Sequence, residues 1–581
     1  MSRFEIRRRA VTTSSDLASH LHPVLRRVYA GRGIGSDADL DLSLDRLLPI
    51  GTLENVEAAA ELLSAHRENG RILVIGDFDA DGATSTALVV RALRAMGFAH
   101  VDFLVPDRFR FGYGLTPGIV GLAESRRPSL IVTVDNGVSS VEGVEAAHAL
   151  GVPVLVTDHH LPGAALPRAQ VIVNPNLRGS RFASPALAGV GVAFYVMAAL
   201  AKRLGETRFK VADLLDLVAL GTVADVVPLD HNNRVLVSQG LRRIRAGRCV
   251  PGILALLQCA GRDARQLTAA DLGFAVAPRL NAAGRLTDMS VGIACLLADD
   301  PLEAATLAGK LSQLNEDRRE IEQRMQEEAL GLVAALNVEA TEQSLGLCLF
   351  DEGWHQGVVG LVAGRIKDRV HRPVIAFARA EDGSLRGSAR SVASVNIRDA
   401  LDSIAVRNPG LIDKFGGHAM AAGLTLQENK LPLFEREFAA EIAARADAAS
   451  LMGVIYSDGA LGAEEFSIDT ARALRGAGPW GQGFPEPVFD GEFKVSETRI
   501  VGGRHLKLQL RAAQSCLGTG PGVSLEAIAF GHVGGAADDA RLREGASVHL
   551  AFRLEINEYR GNERVQLNCQ HLQLLERDGR S

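Results

Sequence analysis

The chain has 581 residues, which is too long for one hydrophobic core, so we expect about three to four domains. Its net charge of −6 excludes a generally basic nucleic-acid coat but is compatible with a local basic track. No apolar run approaches the roughly 20 residues that cross a bilayer, and the basic N-terminus is not followed by the apolar core of a secretory signal. We therefore predict a cytoplasmic protein without a membrane partner.

Apolar strands alternate with helical patterns from about residue 50 to 230, which predicts right-handed βαβ units around a parallel sheet. A charged, proline-free stretch then predicts one long helix. Beyond it lie a smaller α/β unit and, after a Gly/Pro-rich stretch, five short strands typical of an OB-fold β-barrel. The predicted domains are an N-terminal segment (1–45), a parallel-sheet domain (46–300), a connecting helix (301–338), a smaller α/β domain (339–450) and the barrel (451–581).

Acidic and histidine residues follow directly on several strongly apolar runs. The clusters are Asp77-Phe78-Asp79-Ala80-Asp81-Gly82, Asp135-Asn136-Gly137, Asp158-His159-His160 and Asp225. The runs 72–75, 130–134 and 152–156 are predicted to be buried parallel strands, and ligands bind beyond the carboxyl ends of such strands. We therefore expect the clusters to meet at one edge of the sheet. Carboxylates gathered there repel one another unless cations neutralise them, which predicts a metal site.

The first cluster carries three aspartates at a period of two. In an extended segment all three side chains point to one side, and Gly82 permits a tight turn into a helix predicted to begin near Ala83. The alternative for Asp81 alone is a helix N-cap.

The other clusters also have structural alternatives. Asp135-Asn136-Gly137 by itself is equally typical of a turn, and a lone histidine is usually structural. The adjacent histidines after a buried strand favour a ligand role. Asp225 lies in an apolar stretch, where a carboxylate is rarely buried without a partner.

The donor types indicate which metal would bind. The six cysteines are scattered and form no Cys-x-x-Cys pair, so neither a zinc knuckle nor a redox motif is predicted. Oxygen and imidazole ligands suit Mg²⁺ or Mn²⁺, and the imidazole favours Mn²⁺. Two such ions roughly 3.5 to 4 Å apart can activate water and stabilise an in-line displacement at phosphorus. The site therefore predicts phosphoester hydrolysis.

The motifs Asp-x-Asp-x-Asp-Gly, Val-Asp-Asn-Gly, Thr-Asp-His-His and Gly-Thr-Val-Ala-Asp-Val-Val-Pro-Leu, in this order, resemble the DHH phosphoesterase superfamily. Further segments at 278–285, 353–360, 387–391 and 416–423 resemble the RecJ family of exonucleases within it. The resemblance covers nearly the whole chain. It implies a DHH catalytic domain, a DHH-associated substrate-binding domain joined by the long helix, and a nucleic-acid-binding OB fold.

The resemblance also implies the activity. It predicts a metal-dependent exonuclease that degrades single-stranded DNA from 5′ to 3′ into 5′-mononucleotides during recombination and repair. Single-strand-binding protein and a RecQ-type helicase are the protein partners that it suggests.

By the same resemblance, the metal ligands are Asp77, Asp79, Asp81, Asp135, His159 and Asp225. Asp135 is expected to bridge two ions. His160 would contact the scissile phosphate or the leaving group, and Asp158 would orient an imidazole.

Other residues are predicted to bind the substrate. Arginines bind phosphate and aromatic rings stack on bases, so segment 106–115 is a candidate, with a solvated basic loop as the alternative. The family motifs add phosphate contacts, although Arg279 or Arg285 could form structural salt bridges. The predicted residues are Arg108, Arg110, Tyr113, Arg279, Asn281, Arg285, Ser388, Arg390, Gly416, Gly417 and His418. A local excess of basic residues over 492–511 favours a DNA-binding barrel.

Two other functions stay open. A DHH-family oligoribonuclease or cyclic-dinucleotide phosphodiesterase would cleave short substrates, whereas the barrel and the arginine-rich loop favour long strands. A non-catalytic single-strand-binding scaffold of the same fold could dispense with the complete set of aspartates and histidines.

Overall fold

The structure is a computed structural model. It describes residues 4–11, 17, 21–107, 110–335, 345–446, 451–503, 505–512, 524–531, 542–559 and 561–575. The chain divides into two compact units. The larger unit consists of Ile6–Gln313 and Tyr456–Ser581, and the smaller unit of Met1–Glu5 and Leu314–Ile455. In these described ranges, no helix is long and apolar enough to cross a membrane.

A five-stranded parallel sheet forms the centre of the larger unit. Its strands are β2 (Arg71–Gly76), β3 (His100–Leu104), β4 (Leu130–Val134), β5 (Val154–Thr157) and β6 (Val171–Val173), preceded in the chain by β1 (Phe4–Arg8). The order is β3-β2-β4-β5-β6, and each neighbouring pair is parallel, which confirms the predicted parallel sheet. Leu73, Ile75 and Ile131 belong to the buried core on one face.

Helices surround this sheet. They are α1 (Pro23–Ala30), α2 (Val56–Ala65), α3 (Ala80–Ala95), α4 (Pro117–Glu124), α5 (Val141–Ala149), α6 (Gly189–Arg203), α7 (Leu215–Ala224), α8 (His231–Arg245), α9 (Pro251–Cys259), α10 (Ala269–Asp271), α11 (Ala277–Leu286) and α12 (Ser290–Leu297). A π-helical turn, Leu272–Val276, joins α10 to α11. The prediction that α3 begins near Ala83 is wrong by one turn, because Asp79 caps the helix by accepting a hydrogen bond from the Gly82 amide at 3.0 Å.

The predicted long helix is α13 (Pro301–Ala335), and the division between the two units falls within it. Its predicted end at 338 lies outside the described residues. In the smaller unit, Glu322 accepts hydrogen bonds from Arg318 and from Arg365. The pair with Arg318 joins one helical turn to the next and stabilises the helix.

The smaller unit contains a mixed sheet in the order β10-β11-β9-β8-β7. Its elements are β7 (Leu347–Phe350), α14 (Val359–Val370), β8 (Val374–Arg379), β9 (Ser384–Arg390), α15 (Ile397–Arg407), β10 (Lys414–Gly417), β11 (Ala421–Gln427) and α16 (Leu431–Arg445). Phe377, Phe434 and Phe438 are fully buried in its core, where their rings stack or meet edge to face.

The C-terminal strands close into a barrel in the order β13-β14-β15-β17-β16, which confirms the predicted barrel. The elements are β12 (Gly453–Ser457), which pairs with β1, then α17 (Ile468–Gly476), β13 (Phe489–Val501), β14 (His505–Ala512), β15 (Ser524–Ala529), β16 (Ser547–Tyr559) and β17 (Asn562–Leu574). The barrel belongs to the larger unit. Arg8 donates two hydrogen bonds to Asp490 at 3.1 and 2.9 Å, and the Leu229 amide donates to the Gln482 carbonyl at 2.7 Å.

Candidate metal centre

Three neighbouring strands end at the same edge of the parallel sheet. Gly76 is paired with Val134, and Val134 with Thr157, so the residues that follow them lie side by side. Those residues are Asp77, Asp135 and Asp158. The parallel topology therefore brings together aspartates that are far apart in the sequence.

The structure also brings the remaining predicted ligands to this edge. One ligand atom from each member of three groups lies within 4.8 Å of those from the other members: Asp77, Asp79 and Asp135; Asp81, His159 and Asp225; and Asp135, His159 and His160. The groups overlap at Asp135 and His159. Two adjacent cation positions that share Asp135 are compatible with this arrangement.

The three aspartates of the first cluster do not extend to one side as predicted. Asp79 is the extended N-cap of α3, whereas Asp81 lies in the first helical turn. Carboxylate oxygens of Asp81 accept hydrogen bonds from the amides of Gly189 at 2.7 Å and Val190 at 3.0 Å, at the start of α6. The aspartates thus converge because two helix N-termini meet, rather than through strand periodicity.

Burial and mutual repulsion perturb the carboxylates. Burial, followed by the charges of Asp81 and Asp79, raises the pKa of Asp135 well above its ordinary value. The same causes raise the pKa of Asp225, and burial together with Asp79 raises the pKa of Asp81 to about 7. A bound cation would offset the burial and the repulsion between the carboxylates, because it favours their charged forms.

A buried oxygen gives a further test of whether a cation fits. Oδ1 of Asp135 lies 3.1 Å from Nε2 of His159, and within the described part of the chain it accepts no hydrogen bond. Nε2 of His159 is also 3.4 Å from Asp225. Carboxylate oxygens and an imidazole nitrogen gathered without a thiolate suit Mn²⁺ or Mg²⁺. The residues present therefore fit a divalent cation.

His160 differs from His159 in its surroundings. Nδ1 of His160 lies 2.8 Å from buried Asp158, which also accepts hydrogen bonds from the amides of Val138, His159 and His160. Burial opposes the charged imidazole, but the hydrogen bond and charge of Asp158 raise the pKa of His160 to about 9. The Tyr113 hydroxyl lies 3.2 Å from the ring and 3.2 Å from the Asp135 carbonyl. Asp158 thus orients His160 beside the acidic cluster.

The predicted substrate residues of the larger unit have different surroundings. Arg108 lies outside the described residues, and Arg110 stacks over Phe111 with 5.6 Å between guanidinium and ring centre. Asn281 accepts a hydrogen bond from the Ala80 amide at 2.8 Å and so supports the start of α3. Arg285 is half-buried in the last turn of α11.

Arg279 is 9% exposed, and its guanidinium donates to the Ser312 hydroxyl at 3.1 Å and to the carbonyls of Ala275 and Cys259. These contacts support a structural role of this arginine, and its predicted phosphate contact stays a prediction.

The smaller unit brings four of its predicted residues to neighbouring strands. Ser388 and Arg390 lie on β9, and β11 pairs with both β9 and β10, which carries Gly416 and Gly417. His418 follows β10 and is exposed. A Cβ built at Gly360, near the start of α14, would lie 2.9 Å from Nη2 of Arg390 and 3.2 Å from Oγ of Ser388. A hydroxyl, a guanidinium and a helix N-terminus thus adjoin one another, as in anion sites.

The sequence reasoning missed several supporting residues. Asn174 and Asn176 donate to the carbonyls of His160 at 2.9 Å and His159 at 2.6 Å, holding the two histidines in place. A Cβ at Gly189 would lie 2.6 Å from Oδ1 of Asp135, so only glycine permits this approach. Two features of the sequence could have indicated these residues. Asn-Pro-Asn directly follows a strand, and a glycine stands at the start of a helix.

Comparison with known proteins gives a consistent assignment. Family models match residues 71–222 (DHH family, N-terminal domain), 338–444 (DHHA1 domain) and 457–571 (RecJ OB domain). The chain is 53% identical to the single-stranded-DNA-specific exonuclease RecJ of Escherichia coli (strain K12), over 97% of this chain and 98% of that protein. It is 47% identical to the RecJ protein of Haemophilus influenzae, over 98% of this chain and 99% of that protein.

A solved structure has the same fold. The crystal structure of RecJ in complex with Mn²⁺ from Thermus thermophilus matches with a TM-score of 0.79 and 32% identity, covering 96% of this chain and 76% of that chain. With the acidic cluster, this likeness supports divalent-cation binding. Identity and coverage of this extent show that the chain belongs to the RecJ family.

Proposed function

We propose that this protein is a divalent-metal-dependent exonuclease that degrades single-stranded DNA from the 5′ end into 5′-mononucleotides, in recombination and repair. The observation that carries the proposal is the buried cluster of aspartates and histidines at one sheet edge, in a chain of the RecJ family. Relatives over nearly the full length are named single-stranded-DNA-specific exonucleases. The closed C-terminal barrel is compatible with a long strand as substrate.

The proposed ligands of two ions are Asp77, Asp79, Asp81, Asp135, His159 and Asp225, with Asp135 shared between the ions. Mn²⁺ is favoured over Mg²⁺ because an imidazole takes part. When bound, the ions supply Lewis-acid stabilisation of the phosphate and activation of the attacking water.

The protein side chains position the proton that the leaving group needs. Asp158 lies 2.8 Å from Nδ1 of His160, and its hydrogen bond and charge favour the protonated imidazole by raising the pKa of His160 to about 9. A protonated His160 can donate to the scissile phosphate or to the departing 3′ oxygen. In the smaller unit, Ser388 and Arg390 are the proposed contacts for a terminal phosphate, assisted by the start of α14.

One experiment tests the proposal directly. Purified protein is incubated with Mn²⁺, Mg²⁺ or EDTA and with end-labelled single-stranded DNA, double-stranded DNA or a dinucleotide. We expect 5′-mononucleotides, released from the 5′ end of single strands and only with a metal. Turnover confined to dinucleotides, or release from the 3′ end, would contradict the proposal. Single-strand-binding protein and a RecQ-type helicase stay predicted partners, testable by pull-down with the purified proteins.

A further inference from the structure

An exposed and strained residue stands directly after the metal-binding segment at the end of α7. Val226 follows Asp225 with φ of +60° and is 64% exposed. A β-branched residue in the left-handed region is a genuine outlier, which persists only where the surrounding structure imposes it. Strain of this kind clusters at functional sites, and here it turns an apolar side chain towards solvent beside a proposed metal ligand.

A second exposed apolar residue lies on the neighbouring π-helical turn. Phe274 is 78% exposed, although phenylalanine is usually buried. The turn packs on α7, because a Cβ at Gly273 would lie 3.2 Å from Cγ1 of Val223. It leads into α11, which carries Asn281. π-Helical turns are frequent at functional sites. Phe274, an exposed aromatic residue, and Val226, a strained β-branched residue, are thus two independent unusual features on adjoining elements.

Both residues line one cavity of about 630 Å³ within the larger unit. The cavity is also lined by the loop that contains Pro479 and Trp480 and by the part of β16 around Arg553. This loop is well supported: Trp480 stacks on Phe484 at 5.1 Å and donates to the Leu474 carbonyl at 3.0 Å. The volume lies in the range of sites for small organic ligands.

The charged groups around the cavity each have an ion-pair or hydrogen-bond partner. Arg553 lies 2.6 Å from Glu486, and Arg262 lies 3.4 Å from Asp271. Arg475 donates to the Gln266 carbonyl at 3.2 Å, and Glu555 accepts from Asn568 at 2.9 Å. The cavity thus offers apolar and aromatic surface without a strong net charge. This environment suits an uncharged planar group better than a phosphate.

We propose that this cavity is a nucleobase subsite, in which Phe274 and Val226 contact a base of the single strand next to the scissile phosphate. The cavity is lined by Ala224 and Val226, the residues on either side of Asp225, and by residues 553–556 of the barrel strand β16. In the proposal it therefore accommodates the part of the strand that is retained after cleavage. The inference rests on the proposed exonuclease function. It adds base-binding residues that hold the strand in register with the metal centre.

The test is an abasic scan of single-stranded oligonucleotides with Mn²⁺. In each substrate one residue near the 5′ end is replaced by an abasic unit, and kcat/KM for release of the 5′ nucleotide is measured. Wild-type protein should lose activity at one abasic position. Phe274→Ala should lower kcat/KM on the intact strand by about 5- to 150-fold, the effect typical of losing one stacked base, and should lose its sensitivity to that position.

Matched variants separate base binding from structural damage. Phe274→Tyr should restore activity and the abasic profile, and Val226→Gly, which relieves the strained backbone, should lower kcat/KM without lowering the melting temperature. Leu302→Ala is the control, because Leu302 is also 78% exposed in the larger unit but lies away from the cavity lining. Wild-type rates and an unchanged abasic profile in Phe274→Ala would overturn the subsite. Absence of hydrolysis by wild-type protein would instead contradict the proposed function.

Discussion

The metal centre and the barrel belong to the same compact unit, but carboxylates of the metal centre are buried, whereas basic side chains of the barrel are exposed to solvent. Asp81, Asp135 and Asp158 are each 1% exposed, whereas Lys494 and Arg511, which are partners across β13 and β14, are exposed. Buried charges interact strongly because little water screens them, and surface charges contribute little individually. We therefore expect single substitutions to abolish chemistry at the metal centre, and to weaken binding additively at the barrel.

The largest effect is expected for Asp135→Ala. Hydrolysis should fall by at least about 1,000-fold, well beyond the 10- to 100-fold typical of groups that only orient a metal ligand. The metal-free variant should melt at the same or a higher temperature, because burial and the charges of Asp81 and Asp79 raise the pKa of Asp135 in the native protein. Metal content, hydrolysis and melting are measured together. Asp469→Ala, at an 89% exposed side chain, is the control, and full activity of Asp135→Ala would remove this residue from the site.

The two adjacent histidines should respond differently. His160→Ala should retain metal and lose about 100- to 1,000-fold in kcat, because Asp158 orients this imidazole and its proposed role is to donate a proton. His159→Ala should lose metal affinity, since its Nε2 lies 3.1 Å from Asp135 and 3.4 Å from Asp225. Metal titration and single-turnover kinetics measure both effects. Equal loss of metal in the two variants would refute the division of roles.

An intermediate effect is expected in the smaller unit. Arg390→Ala should raise KM for a 5′-phosphorylated strand by about 10-fold, the usual size for a lost charge-assisted hydrogen bond, with kcat and metal content unchanged. A strand with a 5′ hydroxyl should show a smaller effect. Arg386→Ala, on the same strand β9 and 3.8 Å from Asp382, is the matched control. Identical KM changes for both strands would exclude a terminal-phosphate contact.

The barrel should contribute through salt-dependent binding. Deleting it is a poor test, since Asp490 on β13 is bound by Arg8 within the same unit. Lys494→Ala combined with Arg511→Ala should instead flatten the log-log salt slope for single-stranded DNA by about 1.4, or about 0.7 for each phosphate contact. Lys507→Ala should change the slope less, because Lys507 is paired with Glu526 at 2.8 Å. An unchanged slope in the double variant would show that Lys494 and Arg511 do not contact the DNA.

The smallest effect on activity is expected for Asp216→Asn, a buried carboxylate outside the metal centre. Burial raises the pKa of Asp216, although the Val250 amide donates to it at 2.7 Å. A carboxyl with a raised folded-state pKa loses stability as pH rises from its unfolded value of about 3.9 through the raised value. Asp216→Asn should therefore melt higher than wild type above that window, with unchanged turnover. Thermal melting from pH 4 to 9 checks this, and parallel curves for both proteins would contradict it.

Local patterns predicted much of the fold and the candidate site. The apolar runs of β2, β4 and β5 identify buried strands, and the rule that ligands bind at carboxyl ends places Asp77, Asp135 and Asp158 together. The five strand patterns near the C-terminus likewise predict the barrel, which the structure confirms. These features are predictable because strand periodicity and parallel topology depend on residue type and order.

Local patterns failed where distant residues decide the conformation. Strand periodicity placed Asp77, Asp79 and Asp81 on one side, but Asp79 caps α3, and Gly189 and Val190 hold Asp81 in its first turn. For Arg279, the sequence does not reveal that its guanidinium donates to Ser312 and to the carbonyls of Ala275 and Cys259. The phosphate contact of this arginine stays a prediction.

By itself, the sequence of this protein determined which elements form, their order and which acidic and histidine residues meet at one sheet edge, because these depend on apolar periodicity and on residue types. The tertiary structure alone decided which hydrogen bonds each buried carboxylate accepts. It also decided that Val226 and Phe274 border the same cavity as a barrel strand. The physical reason is that burial, hydrogen-bond partners and electrostatic repulsion arise between residues far apart in the sequence, and these contacts exist only once the chain has folded.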